Sequence, residues 1–264
     1  MLTDDEVLQF KQDGYLIKRG IIDQEYCRTA RERLWDEPPP SLKKDDPDSW
    51  IGPFKAEEES DDRENFRKGY RWQYRRVGKE GWMVEGLTRH PFVQSVANQL
   101  LGKNRFTQPK GVRGIYCTLP YGDIDRKPRH VHIDKGPSTL GVVCYVDRVD
   151  PNGGGFTVWP GSHKRMYYTS QSRHLQQDTV EYDQVKQNLD DTWETSSMQT
   201  FGDPGDIVFW HHRMAHMASH NYTSNIRKAV LTDFRFKNID ELSNLAPDKD
   251  MWIDWGATVR DAEE

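Results

Sequence analysis

The chain has 264 residues, enough for one large domain or a core with a sizeable appendage. Its 37 basic and 42 acidic residues leave a net charge of −5, so no global positive field favours nucleic acid. Charged residues make up 30%, no run approaches membrane-spanning length, and the acidic opening Met1-Leu2-Thr3-Asp4-Asp5 lacks the apolar core of a signal peptide, which points to a soluble, cytoplasmic protein.

Thr3-Asp4-Asp5-Glu6 predicts a capping box at the head of a first helix, which Gly14 stops. Tyr15-Leu16-Ile17 predicts a short strand, and a second helix over 24–35 runs up to Pro38-Pro39-Pro40. The stretch 41–81 has no clear period. It carries acidic clusters and then a basic aromatic run, Arg67 to Arg76, which suits either a lid with an anion-binding patch or a solvated strand of alternating charge. A helix is expected over 91–101, with His90 at its cap and Gly102 closing it. From Gly111 the period is mostly two. Strands are predicted over 115–119, 130–134, 140–146, 155–159, 207–212 and 227–236, separated by turn-rich segments such as Asp150-Pro151-Asn152-Gly153. The polar stretch 167–197 reads as an insertion between strands, and His163 falls in a tight turn. Helices first and short strands after predict a mostly β barrel or jelly roll with supporting helices. The expected division of this single domain is N-terminal helices and lid to residue 110, core over 111–236 and tail over 237–264.

Cys27, Cys117 and Cys144 are odd in number and widely spaced, which argues against a disulfide frame or a CxxC metal pair. The chemistry is expected instead at His130-Val131-His132-Ile133-Asp134. On a strand His132 and Asp134 share a face, two thirds of a facial triad for non-haem Fe(II). His130 cannot join them on one straight strand, because residues two apart rise about 6–7 Å. The third ligand must come from elsewhere, and His211, His212, His216 and His220 crowd one segment. Composition does not choose among them. Arg227 narrows the choice to His216: at the head of the next inward strand it can grip one end of a co-substrate whose other end chelates the metal. Asn221-Tyr222-Thr223 matches a glycosylation sequon and is read as coincidence.

Five stretches in order resemble the phytanoyl-CoA dioxygenase family of Fe(II)/2-oxoglutarate oxygenases. They are Leu2 to Phe10 with Asp13-Gly14-Tyr15 and Ile21; His90-Pro91 to Leu101-Gly102; His132-Ile133-Asp134; Asn152-Gly153 to Trp159-Pro160-Gly161-Ser162-His163-Lys164; and Gly205-Asp206 to His216, Asn221 and Arg227. The resemblance implies a double-stranded β-helix core (jelly-roll, cupin-like), iron bound by His132, Asp134 and His216, and 2-oxoglutarate and O2 as co-substrates, giving succinate and CO2. The expected prime substrate is a small molecule, anionic if the Arg67–Arg76 run closes over it. An intact Asp134 favours hydroxylation over halogenation, while desaturation or ring closure would use the same ligands. One departure stands out. Many relatives have Ser two residues after the distal His, where this chain has Ala218 followed by Ser219. Arg227 would then need a hydroxyl from another strand, and strand parity offers Thr118 and Tyr145. The alternatives are a cupin-type site using His130, His132 and His163, which lacks the expected Glu in 135–143, and a non-catalytic metal-binding relative.

Overall fold

The computed structural model describes residues 1–122, 131–176 and 178–263. Helix α1 (Asp4–Asp13) begins at the expected capping box, with the Thr3 N–H donating to Glu6 (3.0 Å) and the Glu6 N–H donating to the Thr3 hydroxyl (3.3 Å). Gly14 ends it at φ 81°, where a Cβ would strike the His163 ring at 2.3 Å, so backbone conformation and space both demand glycine. Strand β1 (Tyr15–Lys18) and α2 (Gln24–Leu34) follow. The long segment after them resolves into a hairpin, β2 (Asn65–Lys68) and β3 (Arg71–Tyr74), before α3 (Gly81–Leu87) and α4 (Pro91–Leu101). The His90 side chain accepts the Phe92 N–H, the capping role expected of it.

The second half supplies β4 (Phe106–Thr107), β5 (Ile115–Thr118), β6 (Leu140–Tyr145) and β7 (Phe156–Val158). Helices α5 (Ser162–Tyr168) and α6 (Val180–Asp191) come next, then β8 (Met198–Gln199), β9 (Ile207–His211), β10 (His216–Ala218) and β11 (Arg227–Phe236). One sheet runs β1-β9-β6-β11-β5-β3-β2, with β4 also on β11, and a smaller one runs β10-β7-β8. Together they form the expected jelly roll of the double-stranded β-helix type.

Period-two alternation sorts the larger sheet's side chains. Val142, Cys144, Phe209, Val230, Trp72 and Tyr74 pack outward into the core shared with α1–α4. Val143, Tyr145, Val208, Trp210, Ala229 and Leu231 face inward between the sheets. A third apolar layer, including Ile133, Trp159, Tyr182 and Leu189, lies around α6 and the smaller sheet. Polar composition hid the helix in the predicted insertion. Its apolar stripe is narrow, Tyr182, Val185 and Leu189, yet Thr179 caps it by accepting the Tyr182 N–H, and tertiary packing completes it.

Two other expectations are corrected. Of the predicted strand over 130–134, residue 130 lies outside the described residues, and 131–134 form a single bridge, in which His132 and His216 exchange backbone hydrogen bonds of 3.1 and 2.8 Å. The smaller sheet's β10 is only three residues long, so it offers that segment little edge to pair with. His163 lies inside α5 rather than in a turn.

Candidate metal centre and cavity

The bridge between His132 and His216 places their rings 4.6 Å apart. Ile133 turns into the apolar layer, 2% exposed, which leaves Asp134 on the side of His132. One ligand atom each from His132, Asp134 and His216 lies within 4.8 Å of the others, and this is the one such group of three metal-binding side chains among the described residues. His216 Nδ1 stands 2.9 Å from the Met214 carbonyl, which assigns the proton to Nδ1 and leaves Nε2 with its lone pair 3.8 Å from Asp134 Oδ1. Burial lowers the His216 pKa despite the nearby Asp134 carboxylate, so the ring is neutral at pH 7, the form a metal requires. Burial alone would raise the Asp134 pKa. Neighbouring positive charge overrides it and holds the carboxyl well below its usual range. At neutral pH that charge is Arg113, whose Nη2 donates to Asp134 Oδ2 at 2.6 Å. Two imidazoles and a carboxylate on one side of a shared point, with a cavity opposite, fit a divalent iron.

The same triad lines a cavity of about 450 Å³ between the sheets, whose wall also includes Thr118, Phe156, Ser219, Arg227 and Leu231. Arg227 is 5% exposed. Its Nε donates to the Gly154 carbonyl (2.9 Å) and its Nη1 to the Tyr116 carbonyl (3.1 Å). No described carboxylate pairs with it, and burial lowers its pKa from the usual guanidinium value. A buried guanidinium with only carbonyl partners is poorly compensated unless an anion joins it. Thr118 sits opposite it across the β5–β11 ladder, and Arg71 sits opposite Thr118 on β3. Arg71, Thr118 and Arg227 therefore form one row along the cavity wall.

Tyr145 is not among the residues that line the cavity. Its hydroxyl donates to Thr200 and accepts the Phe156 N–H at 2.9 Å, which occupies it inside the core. Ser219 does reach the cavity wall and bonds the Thr157 hydroxyl. Asn221 is fully buried, ties the Thr118 carbonyl to the Asn225 carbonyl through Nδ2, and so cannot carry a glycan. His163 is buried against His211 and Trp252, outside the cavity lining. His130 lies outside the described residues.

The basic aromatic run divides. Trp72 and Tyr74 go to the outer core, while Arg71 and Gln73 face the cavity. Tyr70 packs against the edge of the same core as Trp72 and also lines the cavity. It lies at the Gly69-Tyr70 turn before β3 begins and stacks on Tyr121 at 3.6 Å beside the cavity. Arg75 is bound to the Tyr116 hydroxyl and Gln73, and Arg76 pairs with Glu37 (3.2 Å). Sequence reasoning missed Arg113 and Asp233. The available signal was β11 itself: continuing the inward parity of Arg227, Ala229 and Leu231 puts the charged Asp233 on the inner face.

Fold and site together define a jelly-roll enzyme of the two-histidine, one-carboxylate class. A family model, phytanoyl-CoA dioxygenase (PhyH), matches residues 10–229, and the chain belongs to that family. It is an Fe(II)/2-oxoglutarate-dependent oxygenase, with iron, 2-oxoglutarate and O2 as its cofactor and co-substrates. Solved structures share the fold at low identity. The epimerase SnoN, in complex with Fe3+, alpha ketoglutarate and nogalamycin RO, is 16% identical with a TM-score of 0.53, covering 88% of this chain and 83% of SnoN. AviO1 from Streptomyces viridochromogenes Tue57 is 18% identical with a TM-score of 0.52, covering 94% of this chain and 100% of AviO1. EvdMO1 is 14% identical with a TM-score of 0.55, covering 88% of this chain and 50% of EvdMO1. No protein of curated function matches the chain. No described helix is long and apolar enough to cross a membrane.

Proposed function

We propose that this enzyme hydroxylates an unactivated C–H bond of a small molecule, with His132, Asp134 and His216 as the iron ligands and Arg227 as the anchor of 2-oxoglutarate. The observation that carries this reading is the uncompensated Arg227 guanidinium in the wall of the cavity that the triad also lines. Arg227 presents a planar fork to the distal carboxylate of 2-oxoglutarate, and the Thr118 hydroxyl beside it, which bonds no described residue, is the second donor. When bound, iron and 2-oxoglutarate supply the oxidising power: substrate C–H, 2-oxoglutarate and O2 become alcohol, succinate and CO2. His132 and His216 serve as neutral ligands, and Phe156, 5.2 Å from the His216 ring, helps keep that side apolar.

The prime substrate enters past Tyr70, Arg71, Tyr121 and His220 at the cavity wall. Arg71 has no described carboxylate partner and stands over Phe66 at 5.5 Å, which supports an anionic group on the substrate. A small molecule suits the cavity's size, and SnoN holds nogalamycin RO in the same fold. Three free, buried cysteines suit a reducing cytoplasm. The test is succinate release from 2-oxoglutarate by the iron-loaded protein across a panel of anionic and neutral small molecules. Succinate that rises with one substrate class supports the reading. Its absence with iron and 2-oxoglutarate bound would overturn it in favour of a non-catalytic metal-binding relative.

A further inference from the structure

Arg113 lies between two carboxylates. Its Nη2 donates to Asp134 Oδ2 and to Asp233 Oδ1, each at 2.6 Å, and its Nε donates to Asp233 Oδ2, also at 2.6 Å. Asp233 thus takes the fork of the guanidinium and leaves one N–H for Asp134. The backbone beneath is fixed from both sides. The Arg113 N–H donates to the Leu231 carbonyl and the Val112 N–H to the Gly78 carbonyl, each at 2.7 Å. Gly114 sits at φ 104°, where a Cβ would meet the Tyr74 carbonyl oxygen at 2.4 Å. Little freedom remains for the guanidinium, and the side chains of Arg113, Asp134 and Asp233 are only 27%, 25% and 13% exposed.

The two Asp134 oxygens are sorted by this contact. Oδ2 is taken by Arg113, and Oδ1 is the one 3.8 Å from His216 Nε2. We propose that Arg113, aligned by Asp233, is a positioning residue that presents Asp134 to the metal through Oδ1 alone. A carboxylate held this way fills one coordination position rather than two, which leaves the opposite face free for a chelating co-substrate and O2. The inference rests on the reading of Asp134 as an iron ligand.

Charge and positioning predict opposite signs, which makes the test decisive. A guanidinium beside a cation site repels the cation, so if charge were its whole effect, Arg113→Gln would tighten metal binding. As a positioning residue its loss weakens binding, by about 10–100-fold, as for other groups that orient metal ligands. The measurement is Co(II) titration of the full-length metal-free protein, followed by its visible absorption, which reports coordination number without turnover. Arg113→Gln is expected to weaken Co(II) and alter the band. The Arg113→Gln, Asp233→Asn pair keeps the local net charge and is expected to remain weak. Arg113→Lys, which keeps the charge and can hold Asp134 but not the fork, should fall between. Where Arg113→Gln does not fold, Arg113→Lys carries the test: charge alone predicts unchanged Co(II) binding, whereas loss of the fork is expected to weaken it several-fold. Unchanged or tighter Co(II) binding in these variants, with His216→Ala losing it, would overturn the proposal and leave the triad intact. Co(II) binding that survives His216→Ala would overturn the triad, and the proposal with it.

Discussion

His216 and His211 belong to one short segment, yet their rings meet different surroundings. His216 stands beside a carboxylate, has its Nδ1 tied to a carbonyl, and lines a cavity. His211 belongs to a sealed stack, 5.2 Å from His163 and 4.6 Å from His212, which in turn lies 4.8 Å from His174. Trp255 covers the His211 ring at 4.7 Å and Trp252 meets it edge-on at 5.2 Å, both from the C-terminal tail. No described carboxylate pairs with His211 or His212, and burial lowers both pKa values well below the ordinary range, helped by each ring's charged or chargeable neighbours. Burial among apolar rings and other cations keeps His211 and His212 as neutral packing rings. The His211 tautomer is fixed as well, by the Arg213 N–H, so what equips His216 as the proposed metal ligand is its carboxylate partner and an edge open to the cavity.

The largest expected effect separates the two groups outright. His216→Ala should reduce metal-dependent turnover by at least about 1,000-fold, equivalent to about 4 kcal/mol of barrier, while the metal-free protein keeps most of its melting temperature. His211→Ala should do the reverse. It empties space against Trp255 and leaves the Arg213 N–H, now bonded to His211 Nδ1 at 3.0 Å, unsatisfied, at a cost of about 2–4 kcal/mol. Calorimetry paired with iron titration checks both, and a His211 variant that lost iron without losing stability would break the comparison.

Acid should act on the sealed stack. His211 and His212 have folded pKa values below their unfolded value of about 6.5, so the unfolded chain binds more protons as pH falls through that value. Their contribution is intact above about pH 7 and declines toward pH 5, with a limiting slope of about 2.7 kcal/mol per pH unit for two protons. Asp134 and Asp254, whose pKa values are depressed, add their own losses only below the carboxylate range, near pH 4 and under. Denaturant unfolding of the metal-free protein at several pH values measures this. His211→Phe, which preserves the ring over Trp255, should remove about half the slope, and an unchanged slope would place the titration elsewhere.

Arg227→Lys keeps a charge at the cavity but loses the paired donors, and its apparent affinity for 2-oxoglutarate should fall by about tenfold or more, roughly 1.4 kcal/mol. A change confined to the prime substrate's KM would reassign Arg227 to that substrate. The smallest effect belongs to the exposed Arg71. Arg71→Ala should raise KM for an anionic prime substrate a few-fold, about 0.5–1 kcal/mol, and leave the KM for 2-oxoglutarate unchanged. Equal effects on both would mean that the Arg71–Thr118–Arg227 row serves the co-substrate throughout.

Local chemistry was legible along the chain. The capping box at Thr3, the Gly14 stop, the His90 cap and all ten residues of β11 follow from side-chain spacing, because caps and period-two burial are decided within a few residues. His132 and Asp134 could likewise be paired by parity about Ile133. What only the tertiary structure decided was every choice between equivalent side chains. Four histidines in 211–220 look alike in sequence. His216 differs because β10 bridges it to His132, while His211 ends β9 under the tryptophans of the tail. Thr118 and Tyr145 share inward parity. They part because Thr118 sits on the ladder beside Arg227, whereas the Tyr145 hydroxyl meets Thr200 and Phe156 first. Arg113, 21 residues before Asp134, meets it with a guanidinium that Asp233 of β11 grips from the other side, a pairing no local spacing announces. Spacing fixes which way a side chain faces, but its partner comes from contacts across the barrel, and those depend on how two sheets close around one cavity.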